Sequence, residues 1–266
     1  MVALRREEEP MVRRTSYPAG MPCWTDLQAG DVAAAKEFYQ RLFGWTYDDR
    51  PTPTGDSYAL ALVDSDVVAA IAPQSPMQPP DAAAVWSSYL AVDSVDAAVT
   101  AAGAHGGNVL APAADIPGSG RMAFVADPAG IPIGLWQATG RIGADRVNEP
   151  GTLVWNELCT DQLATALPFY TAVAGLEARP AQLGDTEYTT FRLGERDVAG
   201  ATRPARPELA GRWLSWFGIA DAERAAATAR QAGGTVLIEP ARIPVGISVT
   251  LRDPQGAVFG VLQDTD

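Results

Sequence analysis

The sequence predicts an α+β protein assembled from four βαβββ units, and three observations lead there. The phrase "DPAGIPIGLWQ" (Asp127 to Gln137) recurs as "DPQGAVFGVLQ" (Asp253 to Gln263), with Asp-Pro, Gly, Gly and a closing Gln at the same spacings. Trp24 and Trp155, Phe38-Tyr39 and Phe169-Tyr170, and Asp66-Val67 and Asp197-Val198 all match at an offset of 131 residues. The match drifts to 127 for Gly106 and Gly233 and to 126 for the repeated phrase, as small loop deletions would produce in a tandem duplication. Each copy, finally, divides into two halves that share one order of apolar alternation and helical periodicity.

The elements follow in order. An alternating strand is predicted from Pro22 to Gln28, then a helix from the N-cap residue Asp31 to a stop at Gly44. Ala35, Phe38 and Leu42 give that helix an apolar stripe at i, i+3 and i+7. Three short strands come next, near Trp45 to Asp48, Tyr58 to Val63 and Val67 to Ala72, with Asp64-Ser65-Asp66 as a hairpin turn. The second half repeats the pattern: the strand "WSSYLAV", a helix from Val95 to Ala104 closed by Gly106-Gly107, and strands near Asn108 to Leu110, Met122 to Ala126 and Ile133 to Gln137. In this frame the recurring phrase is an Asp-Pro-x-Gly turn followed by the last strand of a unit.

Composition bounds the setting. With 266 residues the chain can form two domains with real cores, and no apolar run is long enough to span a bilayer. Residues 1–20 read as a charged, disordered tail without the apolar segment of a signal peptide. The expected domains are 21–142 and 151–266, with a boundary near Gly143 to Pro150. A net charge of −12 without a basic stripe argues against nucleic acid, and nothing points to a membrane. Cys23 and Cys159 are too few and too far apart for a disulfide framework, which suggests a reducing, cytoplasmic compartment. The proline-rich stretch from Ala72 to Val85 is a linker or a lid.

The strand-helix opening with "DVAAAKEFYQRLFGW", the strand-closing "DPAGIPIGLWQ" and the fourfold βαβββ count resemble the vicinal-oxygen-chelate superfamily of glyoxalase I, bleomycin-resistance proteins and extradiol dioxygenases. The likeness covers Pro22 to Gln263, and more narrowly the chain resembles actinobacterial two-domain glyoxalase-like or hydroxylase proteins, some of them from polyketide and anthracycline pathways. It implies two partly closed, eight-stranded sheets around cavities. Units could pair within a copy, between copies or across a homodimer. It also implies a divalent metal held by His or Gln on the first strand of each unit and Glu on the last.

Those ligands are missing from the expected positions. Counting back from the helix starts puts Trp24, Trp86, Trp155 and Trp213 on the first strands, and the Glu position of the repeated phrase holds Gly134 and Gly260. The one histidine, His105, ends a helix and is expected to face solvent. No metal and no other cofactor is therefore expected. The tryptophans either fill the hollow or wall it for a planar ligand, and the strand glycines favour an open cavity where something approaches closely. Asp26 and Glu157 share the strand face of Trp24 and Trp155 and could act as general acid or base, or else sit at a wet rim or in ion pairs. Arg121 is the candidate anion anchor, and since Ile247 replaces it in the second copy, the cavity with Arg121 is expected to carry the chemistry. Cys159, on the face of Glu157, is a nucleophile or a small buried hydrophobe.

The function expected from these residues is a metal-independent step on an aromatic or conjugated small molecule: isomerisation, cyclisation, elimination or assisted hydroxylation in natural-product tailoring. A protein that sequesters an aromatic compound is the alternative. Glyoxalase-type detoxification is a third reading, resting on the family resemblance alone.

Overall fold

The computed structural model describes residues 13–51, 57–75, 79 and 81–265. The tail expected over 1–20 lies outside the described residues as far as residue 12, as do positions 76–78 and 80 of the proline-rich stretch. The first unit comprises β1 (Pro22–Ala29), α1 (Val32–Phe43), β2 (Thr46–Pro51), β3 (Ser57–Val63) and β4 (Asp66–Pro73). The second comprises β5 (Val85–Ala91), α2 (Val95–Ala104), β6 (Asn108–Ile116), β7 (Gly120–Ala126) and β8 (Pro132–Ala138). The third is β9 (Leu153–Cys159), α3 (Leu163–Ala174), β10 (Glu177–Leu183), β11 (Thr186–Leu193) and β12 (Arg196–Thr202). The fourth is β13 (Arg212–Gly218), α4 (Ala222–Gln231), β14 (Thr235–Ile243), β15 (Gly246–Arg252) and β16 (Val258–Gln263).

Local chemistry sets the ends of these elements. Asp31 caps α1 by accepting from the Ala34 N–H at 2.9 Å, and Gly44 ends it in the left-handed region at φ 75°. Asp64 and Ser65 both take positive φ, the conformation of a two-residue hairpin turn, and so join β3 to β4. β6 extends to Ile116, well past the expected Leu110. Its pairing with β7 shifts register on either side of Ala111, beside Pro112, so a residue without an N–H is carried at an irregularity and the strand then resumes.

Each copy folds on itself. The first sheet runs β2-β3-β4-β1-β5-β8-β7-β6 and the second β10-β11-β12-β9-β13-β16-β15-β14. Units pair within a copy through the antiparallel contacts of β1 with β5 and β9 with β13. The helix-bearing faces of the two sheets meet. α1 lies against α4 and α2 against α3, and two shared apolar cores hold residues from both copies. Where β5 and β13 approach, Thr25 and Ser215 hydroxyls lie 2.9 Å apart and Ser88 donates to Asn156 at 2.6 Å, which satisfies polar groups that would otherwise be stranded in the interior.

This interface explains the repeated phrase. Asp127 Oδ1 accepts from the N–H groups of Ala129 and Ile131 and closes its own turn, while its Oδ2 accepts from Tyr170 of the other copy at 3.1 Å. Tyr170 in turn accepts from the Trp213 indole at 2.9 Å. The mirror chain runs from Trp86 to Tyr39 to Asp253, at 2.9 and 3.0 Å. The closing glutamines cap helices, Gln137 accepting from the Val95 N–H and Gln263 from the Ala222 N–H. A Cβ on Gly107 would collide with Phe169, and one on Gly234 would crowd Phe38. The Phe-Tyr pair, the Gly-Gly pair and the Asp-Pro phrase recur together because each copy clamps the other.

Candidate functional site

The concave faces of the two sheets share a frame but not a content. In the first, Trp24, Tyr89 and Gly134 lie in register across β1, β5 and β8. The hollow above them holds Leu60, Met122, Phe124 and Trp136, and the Phe124 and Tyr89 ring centroids are 5.1 Å apart. Asp26 stands in this filled half, only 6 % exposed. Its Oδ2 accepts from Tyr58 and Tyr89 at 3.0 Å each, and the Trp24 indole donates to Tyr58. The buried Oδ1 has no donor, and burial pushes the acid up to about 6 against the stabilising tyrosine bonds.

The second concave face encloses a cavity of about 760 Å³, within the range of small-molecule sites. Trp155, Trp216 and Gly260 form its cross-strand row, and Glu157 and Leu214 the next row. Glu157 is 9 % exposed, and burial raises its pKa although Tyr188 is within hydrogen-bonding reach. Trp155 donates to the Tyr188 hydroxyl at 2.9 Å, so indole, phenol and carboxyl form one line. The Trp216 indole, from the facing strand, also lies within hydrogen-bonding reach of Glu157 and favours its ionised form. The Cys159 thiol lies 3.7 Å from Glu157, and burial raises it far above its ordinary value, as expected of a small buried hydrophobe.

Three substitutions open this half. At the offset of 126, Met122, Phe124 and Trp136 become Ser248, Thr250 and Leu262, all of which line the cavity. The sequence carried that signal as a change of side-chain volume at matched positions on β7 and β8. Tyr188 and Trp216 were also missed, since Tyr188 comes from a different hairpin and Trp216 from the wrongly phased face of β13.

The expected positions divide accordingly. Trp24, Trp155, Gly134 and Gly260 lie on the concave faces, but Trp86 and Trp213 do not. On β5, Trp86 pairs with Leu27 and points to the helix layer, and Trp213 does likewise opposite Leu158, so Tyr89 and Trp216 take the concave places. Trp24 and Trp155 lie seven residues before the caps of α1 and α3, Trp86 and Trp213 eight before those of α2 and α4, and one residue more turns a strand side chain to the other face. The glycines admit these aromatic rings: a Cβ on Gly134 would strike Tyr89, and one on Gly260 would strike Trp216. Arg121 is also corrected. It faces the helix side and pairs with Asp96 at 3.0 Å and Asp115 at 2.8 Å, and the half that contains it is filled while the other is open. His105 is exposed, with Nδ1 2.8 Å from the Ala101 carbonyl.

The side chains at the implied ligand positions do not fit a divalent ion. The concave rows hold Trp24, Tyr89, Trp155 and Trp216 with Gly134 and Gly260, which supply no imidazole or carboxylate, and among the described residues no three of His, Cys, Asp and Glu converge. No described helix is long and apolar enough to cross a membrane.

Comparison with known proteins agrees with this architecture. A Mycobacterium tuberculosis protein named "Putative glyoxylase CFP32" is 46% identical over 256 residues, covering 95% of this chain and 98% of the relative. The anthracycline biosynthesis protein DnrV of Streptomyces peucetius is 34% identical over 265 residues, covering 94% and 95%. Among solved structures, the 2,3-dioxygenase LapB from Pseudomonas sp. KL28 superposes with a TM-score of 0.64 at 16% identity, covering 97% of this chain and 94% of its own, which is a likeness of fold. The profile of the Glyoxalase/Bleomycin resistance protein/Dioxygenase superfamily matches residues 23–135 and 152–261, and the chain belongs to that superfamily.

Proposed function

We propose that the second half-barrel binds a planar aromatic or conjugated ketone and that Glu157 moves a proton on it without a metal, as in an isomerisation step of natural-product tailoring. One observation carries this reading: a buried carboxyl and two indole rings share a cavity of about 760 Å³. A carboxyl raised by burial is a stronger base once ionised, which suits abstraction of a proton from carbon. Glu157 takes the proton from a C–H adjacent to the ring system, and the electron pair shifts to the ketone oxygen. The same proton then returns to that oxygen, so ketone becomes enol or phenol with no other reactant. Trp155 and Trp216 hold the plane of the substrate, and Tyr188 fixes the carboxyl. The name of the Streptomyces peucetius relative, an anthracycline biosynthesis protein, supports an aromatic substrate class.

Anthrone is a suitable probe, because loss of its C10 proton converts it to the aromatic tautomer. Hydrogen-deuterium exchange at C10, followed by NMR under argon, is expected to be accelerated by the protein and to fall about 10²–10⁴-fold in Glu157→Gln. Exchange unaffected by that change overturns the catalytic role. Tight binding without accelerated exchange identifies a sequestering protein instead.

A further inference from the structure

Each copy is led in by a short segment that docks on the other copy. Residues 13–20 run up to β1 and residues 144–151 run up to β9, at the duplication offset of 131. Both end on a glycine in the left-handed region, Gly20 at φ 89° and Gly151 at φ 81°. A Cβ on Gly20 would strike the Ala174 carbonyl and Leu193, and one on Gly151 would press on Val63 and meet the Phe43 carbonyl. Ala174 and Phe43 are themselves matched at 131, so the two segments are seated alike, each at the end of the other copy's first helix.

Their contacts then diverge with the two hollows. In the filled half the segment is part of the filling: Ala144 is buried beside Trp24 and Tyr89, and its N–H donates to the Cys23 carbonyl at 2.9 Å. Asp145 donates its N–H to the Val67 carbonyl at 2.7 Å and accepts from the Val67 N–H at 2.9 Å. In the open half the leading segment is a wall. Arg14 and Tyr17 both line the cavity, with the guanidinium 5.8 Å from the centre of the Tyr17 ring. They are held from outside the second half-barrel. The Arg14 N–H donates to the Asp145 carbonyl at 2.8 Å, the Tyr17 hydroxyl donates to the Ala144 carbonyl at 2.8 Å, and Arg13 pairs with Asp66 of the first copy at 2.8 Å. With the hydroxyl committed to Ala144, the ring is what Tyr17 offers the cavity. The other walls are strands bonded along their length, whereas this one hangs on a few bonds and an exposed ion pair, so it is the wall that opens most readily.

We propose that residues 13–20 form a strap that shuts one end of the second half-barrel over its ligand, with the Tyr17 ring in contact with the ligand. This inference rests on the second half-barrel being the binding site. The site is then shared between the copies: the second supplies the acid and the indoles, and the segment leading into the first supplies the strap. Binding and docking are linked. A ligand that touches Tyr17 holds the strap down, and by reciprocity a docked strap raises affinity by the same factor.

The probe is 2-(hydroxymethyl)anthraquinone, with binding read by tryptophan quenching. Tyr17→Ala is expected to weaken it about 10-fold, the worth of one aromatic contact. The second readout is tryptic cleavage of wild-type protein at the Arg14–Thr15 bond, which requires the strap to lift. Saturating probe is expected to slow that cleavage by about the same 10-fold, since cleavage follows the population of the open form. This measurement decides even if Tyr17→Ala does not fold. Suppose the probe binds and is weakened by Trp155→Ala, yet leaves the cleavage rate unchanged: that result overturns the strap and leaves the cavity reading standing. Unimpaired binding in folded Tyr17→Ala overturns the ring contact in the same way. Failure of the probe to bind, or binding indifferent to Trp155→Ala, overturns the cavity reading and the strap with it.

Discussion

The two half-barrels grew from one sequence and ended in opposite states. Each keeps a buried acid next to a tryptophan, with a tyrosine from the β3 or β11 hairpin against it: Asp26 with Trp24 and Tyr58, Glu157 with Trp155 and Tyr188. In the first copy Met122, Phe124 and Trp136 close over that core. In the second, Ser248, Thr250 and Leu262 leave room for a ligand. The helix faces meanwhile stayed alike, because each copy is the other's binding partner through the Trp-Tyr-Asp chains. Duplication let one hollow become structural core while the other kept its space.

Carving the filled half should have the largest effect. Met122→Ser with Phe124→Thr copies the open half into the closed one and is expected to cost about 3–5 kcal/mol, read from the denaturant midpoint. A loss below about 1 kcal/mol would show that these residues do not support the first copy. The reverse exchange, Ser248→Met with Thr250→Phe, fills existing space. It should weaken binding of an anthraquinone probe by about 100-fold or more, roughly 2.7 kcal/mol, without lowering the unfolding midpoint.

The buried acid of the filled half is read out by pH. The folded value of Asp26, about 6, lies above its ordinary value of 3.8, so the folded protein holds this proton more tightly than the unfolded chain. The contribution is full below about 4 and is lost as the pH rises through about 6, an effect of about 1–3 kcal/mol. Asp26→Asn should flatten the stability profile over that window relative to wild type, and an unchanged slope would disprove the assignment. The smallest change is Trp155→Phe, which keeps an aromatic wall but removes the hydrogen bond to Tyr188. It should cost about 0.5–1.5 kcal/mol of stability and weaken the anthraquinone probe only a few-fold, measured by Trp216 quenching.

Much of the fold was legible because repetition and periodicity are local. Asp31, Gly44, the Asp64-Ser65 turn and the alternation of β1 and β9 stand in the structure where the residue pattern put them. The site was less legible. The face of a strand depends on its phase, which the helix that follows does not set, and Trp86 and Trp213 were misplaced for that reason. Arg121 stood out as a lone cation in a glycine-rich stretch, yet Asp96 on α2 and Asp115 on β6 already neutralise it.

By itself, then, the sequence determined the tandem duplication, the four βαβββ units, the acids on the first strands and the absence of the family's usual ligands from their positions, since each is a matter of residue type at a fixed spacing. Only the tertiary structure decided which hollow is open and which indoles face it. Those depend on volumes and charges that meet across strands and between copies, far apart along the chain.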